Sequence, residues 1–219
     1  MTEYEGYITT ILNYYKRMFP ITIKVVNDHG EHIANLVSIT KEYRQYYQNL
    51  PKLLGMWRME NPSLSTSKFV ITEENTTNWL DNLVIGRKDR ILFMIHSLDM
   101  RPIGHIGYSS FDFIEHTAEI DCVLRGEMSP VPKLMHHTLN AMLEWGKKTL
   151  LLKKILLSVN KENPRAIKLY KDCGFEELYD IPLFKRELPN GEIRWDEDKN
   201  RNPADATKFG IMMQYMEDR

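Results

Sequence analysis

Leu157-Ser-Val-Asn-Lys-Glu-Asn-Pro-Arg-Ala-Ile-Lys-Leu-Tyr-Lys-Asp-Cys-Gly-Phe175 is the stretch on which the reading of the fold turns. Ile155, Leu157 and Val159 alternate as one face of a strand. Asn163-Pro164 then offers a capping side chain followed by proline at the first helical position, where a missing N–H costs nothing. Ala166, Leu169, Tyr170 and Cys173 follow at i, i+3, i+4 and i+7, and Gly174 is placed to end the helix in a left-handed conformation. The spacing predicts strand, capped helix and stop within twenty residues.

Working upstream, Met135, Leu139, Met142, Gly146 and Leu150 make one stripe of a helix over 133–150. With the alternating run Ala118–Leu124 before it, this gives a strand–helix–strand crossover. Ile120, Cys122 and Leu124 are expected on one face of that run, and Glu119, Asp121 and Val123 on the other. Ile91–Ser97 and the glycine-punctuated Pro102–Ser110 read as two further strands, and Thr72 caps a helix whose first turn holds Glu73 and Glu74 and which carries Trp79, Leu80 and Leu83 inward. Nearer the start, 7–19 reads as an amphipathic helix presenting Ile8, Ile11, Leu12, Tyr15 and Phe19, 21–39 as a strand pair turning at Asp28-His-Gly30, and 41–56 as one helix. Downstream come a strand over 178–188, an Asn190-Gly191 turn, a charged stretch 194–205 read as a solvated loop, and a strand over 209–216.

A chain of 219 residues that is 42% hydrophobic can support one main core. Its 29 basic and 30 acidic residues nearly cancel, which argues against a general nucleic-acid binder or an anionic-membrane protein. No apolar run approaches a membrane-spanning length. Cys122 and Cys173 sit inside apolar patterns, as reduced thiols of a cytoplasmic protein do, and not in a disulfide framework. His136-His137 lacks a third ligand at usable spacing, so no metal is expected.

Arg125-Gly-Glu-Met-Ser-Pro-Val-Pro-Lys133 connects a strand to a helix N-terminus, a place where backbone N–H groups converge on an anion. Ser129 is expected to cap that helix and Pro130 to open it, with Arg125 and Lys133 supplying charge. By itself this is equally well a plain connection. Taken with 157–175, however, the chain resembles the GNAT N-acetyltransferases, over roughly 36–216 and with the matching positions concentrated in 119–175. The resemblance implies an α/β fold: a central mixed, mostly antiparallel sheet with splayed middle strands that admit acetyl-CoA, flanked by helices. Residues 1–20 would be a helical addition and 21–219 the acetyltransferase domain.

The resemblance also implies roles. Val123 and Leu124 would offer backbone amides to the thioester and pantetheine. Arg125, Gly126, Lys133, Leu134 and Met135 would hold the pyrophosphate, and Asn163 and Arg165 would lie along the pantetheine arm. Tyr170 would protonate the departing thiolate. Glu119 or Asp121 is the expected base, with His105 next and Ser158 less favoured. Against the family pattern, the loop lacks its later glycines and has Pro130 and Pro132, which remove two donors and predict weaker coenzyme binding. Trp57-Arg58, Thr72-Glu-Glu, Trp79-Leu80, Arg101–Gly107 and Glu119–Gly126 look like the branch acting on nucleotide-linked amino sugars, which implies Tyr46, Tyr47 and Trp57 as a stacking surface and Arg44 and Arg58 for a diphosphate. A protein N-terminus as acceptor, and a noncatalytic acyl-CoA sensor, are the competing readings. A homodimer is allowed.

Overall fold

The computed structural model describes residues 2–62 and 67–217. Its elements run α1 (Glu3–Tyr15), β1 (Thr22–Val26), β2 (His32–Ser38), α2 (Tyr43–Tyr46), α3 (Leu50–Glu60), α4 (Glu73–Asn78), β3 (Ile91–His96), β4 (Pro102–Asp112), β5 (Thr117–Arg125), α5 (Leu134–Lys148), β6 (Lys154–Asn160), α6 (Pro164–Asp172), β7 (Phe175–Glu187), β8 (Ile193–Asp196) and β9 (Lys208–Tyr215). The sheet order is β1-β2-β3-β4-β5-β6-β9-β7-β8. Every neighbouring pair is antiparallel except β5 and β6, which the α5 crossover makes parallel. This is the mixed, mostly antiparallel sheet with flanking helices that the resemblance implies.

Two apolar clusters sandwich the sheet. On one face α1, α5 and α6 bury Ile8, Leu12, Leu139, Met142 and Tyr170 against Phe93, Ile106 and Ile120. On the other, α2, α3 and the segment after α4 bury Tyr43, Leu54, Trp57 and Leu80 against Leu92, Met94 and Leu124. Lys16, at the end of α1, is only 2% exposed and donates to the carbonyls of Val84 and Ile85, which the last helical turn before Gly86 leaves without intrahelical partners, and to that of Arg87 just beyond it.

Several local expectations are corrected. The first helix begins four residues early, capped by Thr2, and Phe19 lies outside it at 68% exposure. The 41–56 helix is two helices, because Pro51 suits a first turn and the chain restarts at Leu50. Thr72 does cap α4, but the helix continues as a π-helical turn, Trp79–Ile85. One wider turn moves the buried position from Leu83, which is 49% exposed, to Val84. Ser129 and Pro130 do not start α5: the Ser129 Oγ accepts the Val131 N–H, Lys133 is left-handed at φ 51°, and the helix begins at Leu134. The start of the stretch read as a charged loop belongs to β8, whose first residue, Ile193, exchanges backbone hydrogen bonds with Lys68 at 2.7 and 3.0 Å.

Candidate functional site

The α6 segment behaves as its sequence requires. Asn163 Oδ1 accepts the Ala166 N–H at 3.2 Å, and Gly174, at φ 89°, turns the chain out of the helix into β7. Cys173 Sγ meets His136 Nδ1 at 3.1 Å, tying the end of α6 to the start of α5. Tyr170 is thereby fixed on α6 with its ring edge-on to Phe175.

Between β5 and β6 the sheet opens. Their parallel register holds only from Thr117 to Glu119, opposite Lys154 to Leu156. Beyond Glu119, β5 stays paired with β4 and β6 with β9, so the two strands diverge. The gap widens into a cleft of about 660 Å³, reaching from α3 and the 67–71 segment past Glu119–Leu124 to Ser158, Asn163 and Tyr170.

A bulge shapes the β5 wall. Gly107 pairs with Asp121 and His105 with Leu124, so Cys122 and Val123 oppose the single residue Ile106, and Cys122 takes φ 54°. The expected alternation is therefore broken. Val123 joins Ile120 toward the α5 face, whereas Cys122 and Leu124 face α3. The Cys122 carbonyl takes a hydrogen bond from His105 Nδ1 at 2.6 Å, which leaves Nε2 of that ring as its acceptor. Burial lowers the His105 pKa to about 4, so the ring is neutral at pH 7.

Glu119 and Asp121 both line the cleft, in different surroundings. Burial, with the Asp121 charge adding to it, raises the Glu119 carboxyl above the ordinary carboxylate value, against a Ser110 hydrogen bond that opposes the shift. Asp121 is ion-paired to Arg90 at 2.5 Å, and the same guanidinium nitrogen lies 3.2 Å from Cys122 Sγ. Burial pushes the Cys122 thiol up to about 12, which makes it a poor nucleophile. Tyr170 is 7% exposed, lines the cleft, and its hydroxyl has no hydrogen-bond partner among the described residues. Burial first, then the Asp121 charge, raises its pKa, so it keeps its proton.

Of the residues singled out from sequence, the cleft gathers Arg58, His105, Glu119, Asp121, Val123, Leu124, Ser158, Asn163 and Tyr170. Arg125, Gly126, Lys133, Leu134 and Met135 lie beyond it, in the loop to α5 and the first turn of that helix, and Arg165 is exposed in the first turn of α6. Two amides of that loop are already engaged: Gly126 and Glu127 both donate to the Ile103 carbonyl at 2.8 Å. The proposed stacking surface is not assembled. Trp57 is 0% exposed, its ring pressed under Gly126 and its Nε1 donating to Glu127 at 2.9 Å, and Tyr46 and Tyr47 border a different crevice beside Pro20 and Met94. Arg44 is paired with Asp81.

Sequence reasoning missed Arg90, Phe69 and Glu192. Arg90 stands alone just before a strand, and only the charged end of β5 facing it would have signalled a pairing. Phe69, which carries the Arg58 guanidinium 4.1 Å from its ring centre, belongs to a segment with no periodicity. Among the described residues no group of three or more His, Cys, Asp or Glu is arranged to hold a metal, and no helix is long and apolar enough to cross a membrane.

The acetyltransferase (GNAT) domain profile matches residues 42–176. Among solved structures, the chain resembles the Vibrio cholerae spermidine N-acetyltransferase in complex with CoA and spermine, with 18% identity over 83% of this chain and 94% of that one and a TM-score of 0.53. A dodecameric form of that Vibrio cholerae enzyme gives 17% identity, coverage of 84% and 94%, and a TM-score of 0.56. A probable GNAT-family acetyltransferase from Chromobacterium violaceum gives 13% identity, coverage of 92% and 89%, and a TM-score of 0.62. At such identities the likeness concerns the fold. No curated protein matches the chain.

Proposed function

Because the chain belongs to the GNAT acetyltransferase family and is an acetyl-CoA-dependent N-acetyltransferase, we propose that it acetylates a small-molecule primary amine, with Glu119 as the base and Tyr170 as the acid. The observation that carries this is the divergence of β5 from β6 directly after Glu119, with a half-buried carboxyl on one side of the gap and, on the other, a tyrosine hydroxyl without a partner among the described residues. Acetyl-CoA, when bound, supplies the activated acyl thioester. The β5 backbone around Val123 and Leu124, free of β6, offers polar groups to the pantetheine and acyl oxygen. Leu134 and Met135, at the start of α5, present amides suited to a pyrophosphate, with Arg125 and Lys133 for its charge.

The chain's own groups divide the proton work. Glu119, with its raised pKa, is a stronger base than an exposed glutamate, so it takes the proton an ammonium must lose before attack. Asp121 is paired with Arg90, and its charge adds to the rise of the Glu119 pKa. Tyr170 remains protonated and gives its proton to the leaving sulfur. His105 is the weaker candidate base, because burial lowers its pKa to about 4 whereas burial raises that of Glu119.

The nucleotide-linked amino sugar expected from sequence loses its main support, since Tyr46, Tyr47 and Trp57 do not line the cleft. What remains of that reading is Arg58. Release of CoA thiol from acetyl-CoA, measured with amino sugars, polyamines and N-terminal peptides, tests the reading. Release with a small amine supports it, release only with peptides replaces the acceptor class, and tight coenzyme binding without release favours a sensor.

A further inference from the structure

On the acetyl-transfer reading above, we propose that the acceptor amine carries an anionic group, a carboxylate or a phosphate, which the Arg58 guanidinium binds at the α3 end of the cleft.

Among the described residues, the charges around the cleft leave one half-buried cation over. Arg90 is matched by Asp121 at 2.5 Å. Arg194 is matched by Glu192 at 3.2 Å, and Glu192, itself only 8% exposed, also receives the Val70 N–H at 3.4 Å. Arg58 makes no hydrogen bond and no ion pair with any described residue, although it lines the cleft and is half-buried. Its guanidinium lies over the Phe69 ring, over which Arg194 also lies at 5.9 Å. Stacking fixes a guanidinium but consumes none of its five N–H donors.

Partial burial works against the charge, and the Arg58 pKa is depressed, with burial the largest cause. A planar, pre-oriented fork facing a cleft is suited to a carboxylate or phosphate. Lys68, exposed on the same wall, adds a second positive charge. Glu119 is then the one cleft carboxylate outside an ion pair among the described residues. A polycation would place several ammonium groups against Arg58 and Lys68 with only Glu119 to receive them. An acceptor with its amine at Glu119 and an anion at Arg58 meets opposite charge at both ends.

The test uses matched acceptors: glucosamine 6-phosphate against glucosamine, and 4-aminobutanoate against its methyl ester, with spermidine as the polycation. The anionic member of at least one pair is expected to exceed its neutral partner in kcat/KM by about ten- to a hundredfold, the range of one charge-assisted contact. Which pair responds identifies phosphate or carboxylate. Arg58→Met should abolish the difference through KM, with kcat and coenzyme affinity retained, and Arg58→Lys should recover part of it. Equal rates within both pairs, spermidine as the best acceptor, or weakened coenzyme binding in Arg58→Met would each overturn the proposal. If no amine releases thiol, the acetyl-transfer reading fails, and the subsite is decided by calorimetry on the CoA-saturated protein. Binding of inorganic phosphate or acetate that Arg58→Met removes supports it, and identical titrations refute it.

Discussion

Replacing Tyr170 by phenylalanine separates chemistry from structure unusually well in this cleft. The ring packs edge-on to Phe175 with centroids 6.1 Å apart, a contact phenylalanine keeps. The hydroxyl has no described partner, so its removal orphans nothing and should change stability by less than about 1 kcal/mol, or under about 4 °C in a domain of this size. Coenzyme affinity should likewise move by less than about threefold. A general acid contributes about 10²- to 10⁴-fold, so kcat should fall by that factor, equivalent to about 3–5 kcal/mol of barrier. Steady-state thiol release, calorimetric acetyl-CoA binding and thermal melting on the same preparations give the three numbers. An unchanged kcat would remove Tyr170 from the acid role, and a rate loss accompanied by an equal loss of binding or of melting temperature would show that the ring's position had been measured instead.

Glu119→Gln should lower kcat by a similar factor and abolish the acid limb of the kcat/KM profile. In the wild type that limb should lie above the ordinary glutamate value of 4.5, because the base acts when deprotonated and its folded pKa is raised; a limb at or below 4.5 would exclude Glu119. Gly126→Ala places a Cβ 2.0 Å from Trp57 Cδ2, against a ring that is 0% exposed and anchored by Glu127, and should cost about 1–3 kcal/mol, read as a melting point lower by several degrees. Lys16 has its pKa lowered by burial from 10.5 to about 8, so between those values the unfolded chain binds more protons and stability rises with pH. Relative to Lys16→Met, the wild type should therefore gain up to about 3 kcal/mol between pH 8 and 10.5 in denaturant titrations, and a difference independent of pH would refute the assignment.

The parts of the fold that were legible in the sequence are those governed by local rules. Asn163, Pro164 and Gly174 each have a conformational reason to be where they are, and α6 is bounded by them. Pro51 carried a similar signal for the break before α3. The bulge at Cys122 had none: positive φ is favoured by Gly, Asn or Asp, and nothing in a cysteine side chain announces it. Its effect was to regroup Val123 and Leu124 between the two faces, which periodicity alone assigns wrongly. The π-helical turn after Asn78 displaced Leu83 in the same way, by one residue of extra backbone. Site residues within 119–170 were found because one continuous segment carries them. Arg90, Phe69 and Glu192 come from three separated segments, and their meeting depends on tertiary packing that no spacing records.

The position of β9 bears on how the chain reaches this state. It follows β7 and β8 in sequence yet lies between β6 and β7, pairing with Val159 and Asn160 on one side and with Asp180 and Ile181 on the other. A nascent chain that has left the ribosome only as far as β8 has two bare strand edges where β9 belongs, and β6 can be secured only through its short parallel pairing with β5. Such edges recruit other strands. Synthesis and folding are therefore out of step here: the wall of the cleft that bears Ser158 is assembled by insertion, after some fifty residues beyond it have been translated, and the interval before that insertion is when the chain is most exposed to aggregation and has most need of a chaperone.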